Sequence, residues 1–444
     1  MKKTIALLCS ALFSFSLVIA QQADTWKIVP GRITTSWAEQ LDPGRVWQEY
    51  PRPQMVRQNW INLNGLWNYS ILPVSGQSAP ATFSGKILVP FAVESALSGV
   101  GMRVGKDSLL WYQRTFTVPS GMRKGKVLLH FGAVDWQCEV FVNGKSAGTH
   151  EGGYDPFSFD ITSLLNKSGN QQLVVKVWDP SDDGPQPRGK QVKNPHGIWY
   201  TPVTGIWQTV WIESVPQTYI TQIKVTPDVD NRKLEVITDV AQFQAGDEIK
   251  IIALSRDQKV AEATAGSGQA IGLNISRPEL WSPENPFLYD LHIGIYRKGK
   301  LVDEIRSYFA MRKISMKTDE AGIQRMYLND KFTFQFGPLD QGWWPDGLYT
   351  APSDEALKFD IVKTKAMGFN MIRKHVKVEP ARWYYHCDQL GMLVWQDMPS
   401  GDMGNRWDSR PGVKGLGTAK NRTERSEQIF RTEWKEIMQD FHHF

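Results

Sequence analysis

Between residues 332 and 400, short apolar runs alternate with segments whose apolar positions recur at helical spacing. Ser353 is a typical N-cap, and the apolar positions after it predict a helix that ends near Gly368. Before this helix, a Trp-rich polar loop follows an aromatic run that predicts a strand, with Phe332, Phe334 and Phe336. This part of the chain therefore begins as a strand, a loop and a helix.

The same order is repeated further along the chain. Apolar runs at residues 370–372 and 393–395 predict two short strands, and they flank a helix that Pro380 begins and Gly391 ends. Strands that alternate with helices are typical of a parallel α/β sheet or barrel. Polar residues come where each predicted strand ends, and in such folds the carboxyl ends of the strands form the active-site face. We therefore expect any chemistry to lie there.

The chain before residue 314 has a different pattern, with short alternating strands separated by Gly, Pro and Asn turns. Asn143-Gly144 lies between two such strands and is a strong β-hairpin signal. Pro216 marks a boundary, after which about 100 residues of further alternating runs fit an immunoglobulin-like sandwich. The predicted organisation is a leader (residues 1–20), a jelly-roll sandwich (21–216), an immunoglobulin-like sandwich (217–313) and a βα domain (314–444).

The last predicted helix begins near Thr423 and carries Phe430, Trp434, Ile437, Met438 and Phe441 at helical spacing. It completes a third βα unit after a long polar loop from Gly401. A (β/α)8 barrel needs eight such units. The fold class predicted is therefore two β-sandwiches followed by the first three βα units of a TIM barrel.

The amino terminus has the features of a secretory signal. Residues 1–3 carry two lysines, an apolar core runs from Ile5 to Ile19, and Val18 and Ala20 suit a cleavage site after Ala20. The alternative, an anchor helix, would need a longer apolar stretch. Cys9 lacks the small residues that precede a lipidation site. We expect a secreted or periplasmic protein without a stable membrane anchor.

Composition excludes several classes of function. The net charge is +5 from 51 basic and 46 acidic residues, and the basic residues do not cluster as nucleic-acid binding requires. After the leader, Cys138 and Cys387 are alone in different predicted domains, which does not indicate a disulfide framework. His442 and His443 are adjacent and would face apart on a helix, so neither a metal site nor a cofactor is expected. The 18 Trp residues nearly equal the 20 Phe, and indole faces suit sugar rings, although most are expected in cores.

The sequence also resembles glycoside hydrolase family 2, which contains β-galactosidases, β-glucuronidases and β-mannosidases. The resemblance rests on five segments in the family's order: GIWYTPVTGIWQTVWIE, LWSPENPFLYDL, LDQGWWPDG, GFNMIRKH and LVWQDMP. It implies a jelly-roll sugar-binding domain, an immunoglobulin-like sandwich and a (β/α)8 barrel. It further implies retaining hydrolysis of O-glycosyl bonds by two glutamates, with an oligosaccharide or polysaccharide as substrate.

In the family, the acid/base glutamate follows Asn after the fourth barrel strand, and the nucleophile follows the seventh. The 444 residues contain no Asn-Glu pair. Both catalytic glutamates are therefore expected beyond Phe444, and this chain alone is expected to be inactive. A non-catalytic carbohydrate-binding or scaffold protein, or an inactive truncated product, are the alternatives.

The resemblance implies that half of a substrate pocket is present. Arg373 and His375 are two residues apart at a strand end and would bind sugar hydroxyls or orient the nucleophile, against an alternative role as ordinary loop residues. Asp397 follows the next strand and could bind sugar or cap a helix. The candidates in the Trp-rich loop, which could equally serve loop packing, are Asp340, Trp344 and Asp346.

Weaker candidates for substrate contact lie in the first sandwich. Glu94 is in the segment VPFAVES, and Asp182 and Arg188 are in a long Pro/Gly-rich loop between Asp179 and Pro195. This loop could be an ordinary solvated loop. It could also extend to the face formed by the barrel strands, as loops of this domain do in the family.

Overall fold

A computed structural model describes residues 26–76, 78–401 and 423–444. The predicted leader, residues 1–20, and most of the polar loop after Gly401 lie outside the described residues. None of the helices in the described part is long and apolar enough to cross a membrane. Cys138 and Cys387 are both buried and free.

The first sandwich packs a four-stranded and a six-stranded antiparallel sheet around one apolar core. In spatial order the four-stranded sheet consists of Trp60–Asn62 (β1), Val210–Val215 (β12), Lys126–Phe131 (β5) and Phe157–Asp160 (β9). The six-stranded sheet consists of Gly85–Val89 (β3), Gly65–Pro73 (β2), Ser108–Phe116 (β4), Gln171–Trp178 (β10), Gln137–Val142 (β7) and Lys145–Glu151 (β8). A small sheet pairs Val134–Asp135 (β6) with Gly205–Ile206 (β11).

Short elements complete this part of the chain. Helix α1 (Ser36–Glu39) begins at Thr35, whose hydroxyl accepts the Ala38 amide. The predicted hairpin joins β7 and β8, and its turn residues Asn143 and Gly144 have φ values of +51° and +76°. Such positive φ values explain why Asn-Gly occupies this turn. The short 3-10 helices are Pro53–Met55, Ser120–Arg123, Thr162–Leu164 and Ser181–Asp183.

The second sandwich is formed by two antiparallel sheets that share a core of branched aliphatic side chains. The three-stranded sheet is made of Tyr219–Asp228 (β13), Lys233–Ala241 (β14) and Ala270–Asn274 (β17). The four-stranded sheet is made of Gln258–Ala265 (β16), Asp247–Ser255 (β15), Tyr289–Arg297 (β18) and Lys300–Phe309 (β19). Arg57, from the chain before β1, is buried against this sandwich and forms an ion pair with Asp303 at 2.6 Å. This buried pair ties the two sandwiches together.

The remaining part contains parallel strands and helices. The parallel sheet is formed by Leu339–Asp340 (β23), Met371–Lys374 (β24) and Leu393–Gln396 (β25). The helices are Asp354–Ala366 (α2), Ala381–Leu390 (α3) and Glu424–Asp440 (α4). The N-cap Ser353 was predicted correctly, as were the helix start near Thr423 and Gly391, which ends α3 with a φ of +74°. Two sandwiches followed by parallel βα units confirm the predicted fold class.

The first strand of the parallel sheet lies later in the chain than predicted. The strand expected around Phe332 belongs instead to an antiparallel sheet of Ile314–Thr318 (β20), Gln324–Leu328 (β21) and Lys331–Phe332 (β22). Asn329 and Asp330, with φ values of +51° and +62°, form the tight turn that reverses the chain between β21 and β22. The side chains of Phe332, Phe334 and Phe336 are consequently exposed.

Candidate functional site

The carboxyl ends of β23, β24 and β25 form one face, here called the strand-end face. Asp340, Lys374 and Gln396 lie side by side in the parallel register. His375 and Asp397 directly follow their strands, and their backbone amides donate to Asp340 and Lys374 carbonyls at 2.8 and 3.0 Å. The strands thus bring five polar side chains together, as the sequence pattern predicted for this edge.

Arg373, His375 and Asp397 form one hydrogen-bonded cluster on this face. The Arg373 guanidinium donates to both oxygens of Asp397, at 3.1 and 3.0 Å, and His375 Nδ1 lies 2.7 Å from Asp397 Oδ2. The Arg373 side chain is 44% exposed, and those of His375 and Asp397 are 22% and 20% exposed. Because they remain partly exposed, these three side chains can still contact a ligand.

The charge state of Asp397 follows from its neighbours. Burial alone would raise the pKa of the Asp397 carboxyl, but hydrogen bonds from Arg373 and His375 hold that pKa below its ordinary value. The cluster therefore presents an ionised carboxylate flanked by two nitrogen donors. Such a set can bind a sugar hydroxyl from both its donor and its acceptor side.

A second cluster lies beneath the first. The sequence analysis had named Asp340 among its members but missed the others. Lys374 Nζ donates to Asp340 Oδ2 at 2.7 Å and to Glu379 Oε1 at 2.8 Å. Lys377 Nζ donates to the same Glu379 oxygen at 2.9 Å and to the Gly342 carbonyl at 2.7 Å. The two lysine side chains are 1% and 0% exposed. The charged residues Lys374, Lys377 and Glu379, which lie at or just after the predicted strand, were the signal in the sequence that could have indicated this cluster.

Burial acts differently on the two lysines. It lowers the pKa of Lys377 to about 8, because one shared carboxylate only partly compensates for the loss of solvent. Burial also acts to lower the pKa of Lys374, but the carboxylates of Glu379 and Asp340 outweigh it and raise that pKa above its ordinary value. Asp340, held by Lys374 and by the Gly342 amide, has a lowered pKa despite its burial. The cluster fixes Asp340 at the edge of the strand-end face.

The Trp-rich loop contributes less to this face than predicted. Asp346 is fully buried, and its Oδ2 accepts the backbone amide and hydroxyl of Thr35 at 2.8 and 2.6 Å. Trp344 is 9% exposed and packs edge-on against Trp37. A fully buried carboxylate cannot contact a ligand that arrives from solvent, so these two residues serve packing. Trp343 is half-buried and lies against Tyr200, with ring centroids 4.7 Å apart.

The loop between Asp179 and Pro195 extends to the βα part of the chain. The backbone amides of Arg188 and Gly189 donate to the Ser400 carbonyl at 2.9 and 2.7 Å. Gly189 has a φ of +59°, and a Cβ there would lie 2.4 Å from the Val376 carbonyl oxygen, so only glycine fits. Of the two interpretations of this loop, the geometry favours contact with the strand-end face.

The two weaker candidates in this loop hold its shape. The Arg188 side chain is buried, donates to the Gln191 carbonyl at 2.6 Å and stacks over Trp199. Asp182 Oδ1 accepts the Lys193 amide at 2.8 Å. Both side chains thus make contacts that help to fix the conformation of this loop.

Glu94 belongs to a buried group of carboxyls beneath the loop. Its Oε2 accepts the Thr204 amide at 2.9 Å, and the Thr204 hydroxyl donates to Asp179 at 2.7 Å. Asp135 accepts from Gln191 at 2.8 Å. Burial raises the pKa of Glu94 to about 8 and that of Asp179 to about 6. The group supports the loop from below, and the sequence analysis did not single out Asp135 or Asp179.

Within the described ranges, no three His, Cys, Asp or Glu side chains are arranged to hold a metal ion.

Comparisons with known proteins bear on both sandwiches. Residues 101–210 match the sugar binding domain of glycosyl hydrolases family 2, and residues 218–312 match a second model of glycosyl hydrolases family 2. Both sandwiches thus match models of glycosyl hydrolases family 2. This confirms the resemblance that the sequence motifs indicated.

The curated relatives are considerably longer than this chain. A Formosa agariphila protein is 29% identical over 326 residues, which are 70% of this chain and 38% of that protein. A beta-galactosidase of Thermoanaerobacter pseudethanolicus is 25% identical over 314 residues, 65% of this chain and 39% of that protein. The matched part of this chain therefore spans less than half the length of either relative.

Solved structures share the fold. A beta-glucuronidase of Ruminococcus gnavus aligns with a TM-score of 0.71 and 20% identity over 90% of this chain and 67% of its own. A beta-glucuronidase of Lactobacillus rhamnosus aligns with a TM-score of 0.72 and 20% identity over 89% of this chain and 66% of its own. At this identity the likeness concerns the fold alone.

Proposed function

We propose that the protein hydrolyses β-linked glycosides by the retaining mechanism, and that these 444 residues supply the substrate-binding part of its site. The proposal is carried by one observation: Arg373, His375 and Asp397 form a partly exposed polar cluster at the carboxyl ends of parallel strands. The names of the relatives, a beta-galactosidase and beta-glucuronidases, support a β-glycoside as substrate.

The catalytic pair is not among the residues just described. A retaining glycosidase needs two carboxyl groups about 5–5.5 Å apart. Asp397 and Asp340 form ion pairs with Arg373 and Lys374, and Asp346 is fully buried. None of the three is therefore available as a nucleophile or acid/base. We propose that two glutamates outside the 444 residues act as nucleophile and acid/base, and that the βα units belong to a complete (β/α)8 barrel.

The test compares the product of the complete reading frame with the 444-residue chain. We expect the former to release nitrophenol from at least one of the β-glucuronide, β-galactoside and β-mannoside reporters, and the latter to release none. Turnover by the 444-residue chain, abolished by Asp340→Asn, would contradict the proposal. Oligosaccharide binding without turnover by either protein would instead support a carbohydrate-binding protein.

Export is a separate proposal. The lysines at positions 2 and 3, the apolar core and the small residue at Ala20 support a leader that is removed after Ala20. We expect the mature protein, secreted or periplasmic, to begin at Gln21. Amino-terminal sequencing of exported material tests this, and a sequence that begins at Met1 would contradict it.

A further inference from the structure

Helix α4 packs against the first sandwich with a face that is only partly apolar. Ile429 and Ile437 are 4% and 6% exposed, and Glu433 lies between them on the same face at 1% exposed. Glu433 Oε1 accepts the Trp136 indole N–H at 3.0 Å, while its Oε2 is buried and has no hydrogen-bond partner among the described residues. A carboxyl group at a core position is costly when it is ionised.

Glu433 is one of several carboxyls that meet where α4 contacts residues 150–155 of the first sandwich. We call this group the acidic interface, and it consists of Asp155, Glu433, Glu436 and Asp440. Asp155 is 3% exposed, and within the part of the chain that the structure describes its Oδ1 has no hydrogen-bond partner. Its Oδ2 lies 3.4 Å from His150 Nε2. Across the same contact, Arg425 of α4 forms an ion pair with Glu151 at 2.5 Å, so its positive charge is paired with a carboxylate outside this group.

Groups from each neighbouring element set the charge balance at this contact. The first sandwich contributes Asp135, His150 and Asp155, the segment before β1 contributes Arg52, and α4 itself contributes Lys435 and Glu436. Arg52 already forms an ion pair with Glu213 at 2.6 Å. Its charge is consequently only partly available to offset the carboxyls.

We infer that protons control the docking of α4 on the first sandwich, so that the contact is tight while the acidic interface is partly protonated and loosens when it is fully ionised. The inference goes beyond the proposed hydrolase activity and does not depend on it. Protonation removes like-charge repulsion around Asp155 and lets the buried carboxyl oxygens act as donors. Ionisation places negative charge on Glu433 Oε2 and Asp155 Oδ1, two buried oxygens that have no hydrogen-bond partner among the described residues.

The direction of the pH effect follows from Asp440 and Glu433. Burial and the charge of Asp155 raise the pKa of Asp440 from 3.8 to about 7, and the same causes raise the pKa of Glu433. The docked state therefore binds more protons than the undocked state between about pH 4 and pH 7. Docking should weaken as the pH rises through this range and remain weak above it.

Hydrogen exchange of the α4 peptide in the 444-residue chain, corrected for intrinsic exchange rates, tests the inference. We expect protection to be at least about tenfold higher at pH 5 than at pH 8, because one proton taken up over one pH unit corresponds to a factor of ten. Asp440→Asn and Glu433→Gln should each raise protection at pH 8 and reduce the difference. Glu433→Gln keeps the oxygen that accepts from Trp136, so it should preserve the contact.

Glu427→Gln is the matched control, because Glu427 lies on α4 but is 56% exposed and forms an ion pair with Arg431. It should leave the pH dependence unchanged. Equal protection at both pH values in the unmodified chain would overturn the inference. So would a control variant that reduces the pH difference as much as Asp440→Asn does.

Discussion

Strand β24 carries two adjacent cationic residues, of which one is exposed to solvent and the other is buried. The Arg373 side chain is 44% exposed and pairs with Asp397, whereas that of Lys374 is 1% exposed and pairs with Asp340 and Glu379. Successive side chains of a strand point to opposite faces, so adjacent residues can serve different purposes. One ion pair is open to a ligand, and the other is enclosed beneath it.

The difference indicates how the strand-end face is built. Lys374, Lys377 and Glu379 hold Asp340 and the Gly342 carbonyl in place. The exposed cluster of Arg373, His375 and Asp397 then lies on a rigid support, which a precise binding site requires. We therefore expect the buried cluster to govern stability and the exposed cluster to govern ligand binding.

The largest expected effect comes from Lys374→Met. The change leaves Asp340 without its cation and Glu379 with only Lys377, and removing one partner of a buried ion pair typically costs about 3–5 kcal/mol. Arg373→Met is the matched control, since it removes the adjacent positive charge from an exposed pair, at a cost of about 0–1 kcal/mol. Hydrogen exchange of the peptide that contains β24 measures the local opening free energy. Similar losses in both variants would contradict the proposed division of roles.

The second prediction concerns activity. In the product of the complete reading frame, we expect Arg373→Ala to lower kcat/KM by roughly one to three orders of magnitude, since residues at the carboxyl ends of barrel strands serve function more than stability. The melting temperature should remain nearly unchanged. Steady-state kinetics on the reporter glycoside, together with thermal unfolding, provide the measurement. Normal kinetics, or a variant that simply unfolds, would show that Arg373 has another role.

The local signals in the sequence predicted much of the fold. Ser353 and Thr423 begin helices, Gly391 ends one and Asn143-Gly144 forms a hairpin, and in each case the deciding interaction lies within a few residues. The turn at Asn329-Asp330 was equally local, but the aromatic run after it was interpreted as a barrel strand.

Long-range contacts account for what was not predicted in the site. Asp346 is bound by Thr35, 311 residues earlier in the chain. Lys374 donates to Asp340, which lies 34 residues earlier in the chain, and Lys377 donates to the Gly342 carbonyl, 35 residues earlier. Burial and ion pairing of this kind depend on how the loops pack, and the sequence pattern around each residue carries no sign of its partner. The sequence was sufficient to identify the residues at the strand ends, but it did not show which of their side chains are buried.

The third prediction uses alkaline pH to test the buried cluster. The pKa of Lys377 is about 8 in the folded chain against an ordinary 10.5, so between these values the unfolded state binds more protons. Lys377 should therefore contribute a rise in the stability of the βα part with pH in this window, by at most about 1.4 kcal/mol per pH unit. Lys377→Met should remove this rise, whereas Lys363→Met, at an exposed lysine of α2, should keep it. Unfolding measured from pH 8 to pH 10 tests the prediction, and an unchanged slope in Lys377→Met would refute it.

The smallest expected effect extends the contrast to apolar side chains. Phe334 is 70% exposed, whereas Phe309 in β19 is 3% exposed and stacks on Tyr289 with ring centroids 4.8 Å apart. Replacing an exposed residue usually changes the unfolding free energy by less than about 0.5 kcal/mol. Phe334→Ser should therefore leave the melting temperature unchanged, while Phe309→Ala, the buried counterpart, should cost about 3–5 kcal/mol.

Self-association is the measurement in which Phe334→Ser should differ from the unmodified chain. Phe332, Phe334, Phe336 and Leu339 are each about half exposed or more, and they form one apolar stretch. Large exposed apolar patches promote association. Sedimentation of the 444-residue chain over a range of concentrations should show association that Phe334→Ser reduces. If the variant associates as strongly as the unmodified chain, then Phe334 does not drive association. If its melting temperature falls as in Phe309→Ala, then Phe334 packs within the fold and the contrast between exposed and enclosed side chains does not extend to it.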